Sequence, residues 1–353
     1  MVADHQGGKA HHPVSLNETK KTTDSEALPL IDVHHHFIPP FYLAENRDRI
    51  AQSRGGQLSP AWLEWTPQRT LDAMDLNGVA VAILSMSTPG VWFGNAQAAR
   101  ETARRSNEYA AELVRSHPTR LGLFAVVALP DIDGALREIE YALDVLKADG
   151  IALLTNYDGR WLGHADYMPA LEELHRRGAV VFVHPTTPAT VRALMPDVSP
   201  MIAEVPQDTA RAIINLLLTG TLSRLSGIRF IFPHAGGTFP MIAGRLYQYV
   251  PKATLESLSD DIEHELGRLH YDIAGTAHRP AIAALRSLVA DTQILFGSDE
   301  PHVPASETVQ GLDQLGLPRH ARVAIGCDNA WRLLPRLKSI LKVGAGCNPI
   351  HEA

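Results

Sequence analysis

Leu30-Ile31-Asp32-Val33-His34-His35-His36-Phe37-Ile38-Pro39-Pro40 opens on a short apolar run, turns polar, and ends in two prolines. A run of this length between breakers reads as a buried strand rather than a helix. No glycine-rich phosphate loop follows it, which argues against a dinucleotide-binding fold. The same form recurs along the chain. Apolar runs at 79–86, 121–129, 151–155, 180–183, 229–232, 271–273 and 293–296 alternate with amphipathic helical patterns at 67–76, 95–116, 132–148, 165–177, 208–222, 239–250, 280–290 and 306–315. Near-continuous apolar strands, each followed by a helix, indicate a parallel sheet covered by helices. Eight such units favour an α/β fold closed as a TIM-type (β/α)8 barrel over an open sheet.

The barrel is expected over residues 29–345. A small insertion after strand 1, at about 41–66, carries Trp62 and Trp65 toward the barrel mouth. Residues 1–28 are polar, aperiodic and without the apolar core of a signal peptide, and read as a flexible tail holding His5, His11 and His12. Residues 346–353 form a C-terminal tail. The segment from Asp328, with Trp331, Leu333, Leu334, Leu337 and Ile340, reads as a closing amphipathic helix.

Composition narrows the function. The 353 residues carry 32 Lys+Arg against 39 Asp+Glu, a net charge of -7, so there is no basic surplus with which to grip a nucleic acid. At 45% hydrophobic and 20% charged residues the chain is too apolar to be disordered. No apolar run approaches the ~18 residues that span a bilayer, so no membrane partner is expected. Two cysteines, Cys327 and Cys347, are too few for a disulfide framework or a thiolate metal cage, which points to a reducing, cytoplasmic setting.

Chemistry concentrates at the strand ends. Side chains alternate faces along a strand, so His34 and His36 share one face and His35 takes the other. The run at 180–183 leads into His184, the run at 229–232 into Pro233-His234, and the run at 293–296 through Gly297-Ser298 into Asp299. A lone histidine there is usually structural and a lone aspartate usually a helix cap. Four strands that each deliver ligand-type residues to the mouth of one barrel point instead to a metal site. Three imidazoles and one carboxylate suit Zn2+, with Mn2+ the other ion to consider. His34, His36, His184 and Asp299 are assigned as ligands and His234 as an acid/base beside them. His302 and Glu300 stand close enough in sequence to orient Asp299.

IDVHHHFIPP, RLGLFAVVALPD, VFVHP, FPHAGGTFP followed by Gly244-Arg245, FGSDEP, and Asn329-Ala330 together resemble the amidohydrolase superfamily, in its aminocarboxymuconate-semialdehyde decarboxylase-like branch. The resemblance spans Leu30 to Leu334. It implies the same metal ligands, His234 as catalytic acid/base, and Arg245 reaching the substrate carboxylate of a neighbouring subunit in a homodimer. Strand four ends Leu153-Leu154-Thr155-Asn156-Tyr157 without a lysine to bridge two metals, so a binuclear hydrolase is disfavoured. The HHHFIPP start, the STPG segment at 87–90 with Trp92-Phe93, and FGSDEPHVP are most similar to fungal 6-methylsalicylate decarboxylases.

The resulting expectation is nonoxidative decarboxylation of a small aromatic carboxylic acid, with Asp299 or His234 delivering a proton to the ring carbon. Trp62, Trp65, Trp92 and Phe93 are candidate walls of the ring slot, Trp92 and Phe93 as substrate contacts. The same ligand set would serve a mononuclear, lactonase-like hydrolase. A non-catalytic barrel is the third alternative.

Overall fold

The computed structural model describes residues 29–53, 58–192, 195, 197–257 and 261–340. The tails at 1–28 and 346–353 lie outside the described residues. Eight parallel strands form the barrel: β1 (Leu30–His36), β2 (Val79–Ser85), β3 (Leu121–Val126), β4 (Gly150–Leu154), β5 (Val180–His184), β6 (Arg229–Phe232), β7 (His270–Asp272) and β8 (Ile294–Leu295). They are hydrogen-bonded in chain order. The seam is closed by backbone bonds from Val33 N to Phe296 O (3.1 Å) and from Asp299 N to His34 O (2.8 Å), with a parallel bridge between His35 and Glu300.

Around the strands run α1 (Pro40–Ser53), α2 (Pro60–Leu63) and α3 (Pro67–Asn77), then α4 (Ala96–Ser116), α5 (Ile132–Glu140) and α6 (Met168–Arg176). They are followed by α7 (Glu204–Leu218), α8 (Gly244–Tyr249), α9 (Arg279–Arg286) and α10 (Ala305–Gln314). Local chemistry sets their ends. The α3 cap Thr66 accepts from Arg69 N, Pro67 supplies the first turn, and Gly78 stops the helix at φ 69°. Asn95 caps α4 through Ala98 N at 2.9 Å.

Two of the expected helices are interrupted. The pattern at 132–148 is α-helical to Glu140 and then widens to a π-turn over Tyr141–Val145. The pattern at 239–250 divides into a short helix, Phe239–Ile242, and α8, with Gly244, a poor helix former, at the break.

The core has two layers. Ile31, Val33, Val81, Phe124, Phe182 and Leu295 belong to a cluster inside the barrel, joined by Ala330, Leu333, Leu334 and Leu337 of the closing segment. A larger cluster joins the outer strand faces to the helices. Cys327 is buried and disulfide-bonded rather than a free thiol, so the low cysteine count does not carry the inference of a reducing compartment. Among the described residues no helix is long and apolar enough to cross a membrane.

Candidate metal centre

At the C-terminal end of the barrel, His34, His36, His184 and Asp299 each offer a ligand atom, and these atoms lie within 4.8 Å of one another. Reaching that arrangement takes a bulge. Ile31 and Val33 belong to the barrel interior, so strict alternation would turn His35 inward next. Instead, Asp32 pairs with Ala82 while His35 pairs with Leu84, three steps along β1 against two along β2. The extra residue re-aims the strand and sends His34 and His36 to the interior. His35 turns away, where Nδ1 meets Asp32 Oδ2 at 3.0 Å and Nε2 lies 3.4 Å from Thr70 Oγ1 on α3.

Each inward imidazole is held by its Nδ1. His34 Nδ1 lies 3.0 Å from Asp272 Oδ2, His36 Nδ1 3.1 Å from Ser85 O and His184 Nδ1 2.8 Å from Pro185 O. All three partners are acceptors, so Nδ1 carries the proton and a neutral ring presents a lone pair at Nε2. Three lone pairs therefore converge with a carboxylate. His34 and His36 Nε2 are 3.0 Å apart, and Asp299 Oδ1 is 3.3 Å from the first and 3.0 Å from the second. Asp299 Oδ1 is buried and accepts no hydrogen bond. Acceptors facing one another in this way fit a cation.

The electrostatics agree. Burial, with smaller contributions from neighbouring groups, holds His36 and His184 below the ordinary histidine range. Burial alone would raise Asp299, but His34 and the other histidines around it outweigh that and keep it ionised. His34 is the exception: burial lowers it, yet Asp272 and Asp299 on either side lift it to about 10. With no metal, the cluster would take up a proton there to meet its own negative charge.

The structure brings His234 to the same place. Its Nε2 is 3.6 Å from Asp299 Oδ2, and its ring centroid is 5.2 Å from that of His34. The backbone at His234 (φ 57°), Ala235 (φ 55°) and Asp299 (φ 68°) is left-handed, a conformation that favours glycine. Two side chains at the centre are thus held by strained backbone. Glu300 takes a different part from that suggested by its sequence position: its Oε2 accepts from Ala305 N at 2.8 Å and caps α10.

Other candidates are dispersed. Arg245 is exposed on α8, its guanidinium 4.5 Å from the centroid of the Tyr249 ring. Trp92 lines a cavity of about 390 Å³ with Pro89, Leu154, Tyr157 and Thr186, and donates to Asp158 Oδ2 at 2.8 Å. Phe93 carries Arg49 over its ring at 5.2 Å. Trp65 is buried and donates to Thr70 Oγ1 at 3.1 Å, a packing role rather than a slot wall. Trp62 reaches His302.

Two carboxylates escaped the sequence reading. Asp272, at the end of β7, holds His34 and also accepts from His234 N (3.2 Å) and Ala274 N (2.9 Å). Asp32 accepts from His34 N (3.0 Å), Ser298 N (3.0 Å) and Ser298 Oγ (2.6 Å), tying β1 to the exit of β8. The signal for Asp272 was present, since it is a polar residue inside the apolar run at 271–273.

A family profile described as Amidohydrolase matches residues 31–336. A decarboxylase of Aspergillus niger, yanB, is 35% identical over 337 residues, covering 89% of this chain and 90% of its own. The 6-methylsalicylic acid decarboxylase of Penicillium expansum is 34% identical, covering 88% of this chain and 98% of its own. Among solved structures, a dihydroxybenzoic acid decarboxylase from Polaromonas, with bound manganese and the inhibitor 2-nitroresorcinol, superposes with a TM-score of 0.77 at 21% identity, covering 87% of this chain and 97% of its own. The barrel, the histidine and aspartate cluster at its mouth and the near full-length match place this chain in the amidohydrolase family.

Proposed function

We propose that this chain is a metal-dependent, nonoxidative decarboxylase of a hydroxybenzoic acid, and that 6-methylsalicylate, yielding 3-methylphenol and CO2, is the substrate to test first. The observation that carries the reading is the acceptor-only cluster of three Nε2 lone pairs and Asp299 with His234 beside it. The near full-length similarity to the 6-methylsalicylic acid decarboxylase of Penicillium supports it.

The ion supplies a Lewis acid and a template for the substrate's oxygens when bound. Zn2+ is the ion the donor set favours; manganese, bound by the Polaromonas enzyme, is the alternative. His34, His36, His184 and Asp299 hold it. The reaction breaks the bond from ring carbon to carboxylate, whose electron pair stays on the ring, and forms a bond from that carbon to hydrogen. The proton is held at the pair formed by His234 Nε2 and Asp299 Oδ2, 3.6 Å apart. Trp92, which lines the cavity with Tyr157 and Thr186, is the wall offered to the ring, whereas Phe93 packs under Arg49. A second copy of the chain brings Arg245 to the substrate carboxylate, so the active species is a homodimer.

Incubating zinc- or manganese-loaded protein with 6-methylsalicylate and other hydroxybenzoates should release CO2 and the matching phenol in equal amounts. No CO2 from any of them sinks the proposal. Incorporation of solvent oxygen into a hydrolysed lactone, without CO2, would assign the hydrolase alternative.

A further inference from the structure

Asp208 of α7 is a fully buried carboxylate outside the metal cluster. Three side-chain donors converge on it. Thr155 Oγ1 and Asn156 Nδ2 (2.8 Å) donate to Oδ2, and Trp161 Nε1 (3.1 Å) donates to Oδ1. All three belong to the segment that leaves β4. Its core is a hairpin, Asn156–Tyr157 antiparallel to Arg160–Trp161, turned by Asp158 (φ 52°) and Gly159 (φ 75°). Asp-Gly with both residues left-handed is the turn that suits a two-residue hairpin loop. A ribbon this short has too few cross-strand bonds to hold its own place, so its position depends on Asp208.

The same donors reach the exit of β5. Thr155 Oγ1, its proton given to Asp208, accepts from Thr186 N at 3.0 Å. Asn156 Nδ2 gives its other hydrogen to Thr186 O at 3.0 Å, and Asn156 Oδ1 accepts from Gly159 N at 3.2 Å. Thr186 Oγ1 is 2.8 Å from Thr88 Oγ1. At its turn the hairpin also takes the indole N–H of Trp92 on Asp158 Oδ2. One carboxylate thus ties together Tyr157, Thr186 and Trp92, three sides of the cavity. Thr186 stands two residues past the ligand His184, so the cavity abuts the metal centre.

These bonds also decide what the cavity offers. The polar atoms of Asn156 and Thr186 are spent on one another and on their neighbours, and Leu154 adds hydrocarbon. Asp158 and Thr190 stand at the exposed rim. A hydroxyl pressed against such an interior loses water without gaining a partner, whereas a methyl gains burial. We propose that Asp208 is a positioning residue: through the hairpin and Thr186 it holds the cavity in the shape that takes an apolar substituent of the aromatic ring, a methyl in preference to a hydrogen or a hydroxyl. The proposal rests on the hydroxybenzoate reading of the same site.

The test uses analogues in which a nitro group replaces the carboxylate, so that no CO2 can leave: 3-methyl-2-nitrophenol, 2-nitrophenol and 2-nitroresorcinol. Calorimetry measures their binding to zinc-loaded protein, with metal content and melting temperature recorded on each sample. The parent should bind the methyl analogue roughly 4- to 10-fold more tightly than the other two. Asp208→Asn has the same size but sets an amide N–H against one of the three donors. It should erase the preference with metal content unchanged. Adding Trp161→Phe to that variant removes the opposed indole N–H and should restore part of the preference, which a general loosening of the fold would not do. Thr155→Val cuts the tie to Thr186 and should also lower the preference; it decides the matter if Asp208→Asn does not fold. A parent without methyl preference overturns the proposal, as does a preference retained in Asp208→Asn or, should that variant not fold, in Thr155→Val. If the preference is found and lost as expected but no hydroxybenzoate releases CO2, the decarboxylase reading fails and the role of Asp208 stands. CO2 release with the preference unchanged in the variants does the reverse.

Discussion

At the residue scale, the metal ligands depend on atoms that never touch the ion. Asp272 both holds the His34 tautomer and anchors the backbone at His234, so it couples a ligand to the proposed acid/base. Replacing Asp272 with Asn removes the charge facing His34 Nδ1 and should reduce metal affinity by roughly 10- to 100-fold. Competition titration against a chelator measures this directly; unchanged affinity would remove Asp272 from the site. The ligands themselves were legible in sequence because each stands at the end of an apolar strand. Asp272 was passed over because its own run is only three residues long and gives no register from which to read its facing.

At the element scale, the β1 bulge explains both what the pattern gave away and what it hid. Alternation correctly pairs His34 with His36 and sets His35 apart. It says nothing of which face is interior, because the extra residue that decides this is defined only by pairing with β2. The exit of β8 is as tightly constrained. A Cβ at Gly297 would lie 2.7 Å from His34 Cβ and 2.9 Å from Asp272 Cγ. Gly297→Ala should therefore displace the ligand and its anchor together, costing about 1–3 kcal/mol of stability and lowering metal occupancy, as read by elemental analysis and thermal melting. Full occupancy in that variant would show that the neighbourhood can yield.

The opposite end of β7 carries a different sensitivity. Burial pushes His270 down to about 4, with Arg229 on the adjacent strand adding to the effect. The unfolded chain takes up this proton near pH 6.5, the folded one only near pH 4. Stability from keeping His270 neutral is thus present above about pH 6.5 and drains away as pH falls toward 4, by about 2 kcal/mol between pH 7 and 5. His270→Gln should flatten that part of the acid limb in urea titrations at pH 7 and 5; an equal loss in parent and variant would place the sensitivity elsewhere.

At the scale of the whole molecule, eight strand-and-helix units were readable because a parallel barrel buries its strands on both faces and leaves each as a distinct apolar run. The closing of the ring was inferred from the number of units, and the seam bonds that perform it have no sequence signature of their own. The helix interruptions at Glu140 and Ala243 were hidden because amphipathic spacing continues through them. Metal binding should stabilise the assembled barrel by mass action, about 4 kcal/mol at a thousandfold excess over Kd. The melting temperature should rise with the logarithm of added metal and fall with EDTA. A melting temperature indifferent to both would mean that the cluster binds no ion.

The seam has a further consequence. Asp299 bonds through its backbone to His34 and offers its side chain to the same site, so residues 265 positions apart in the chain meet at one ion. A chain still being synthesised, with its first seven strands emerged, has every histidine ligand but neither the eighth strand nor the carboxylate. Ion capture is in this sense a mark of completion: a barrel takes on its metal, and with it the capacity for chemistry, after translation has passed residue 299.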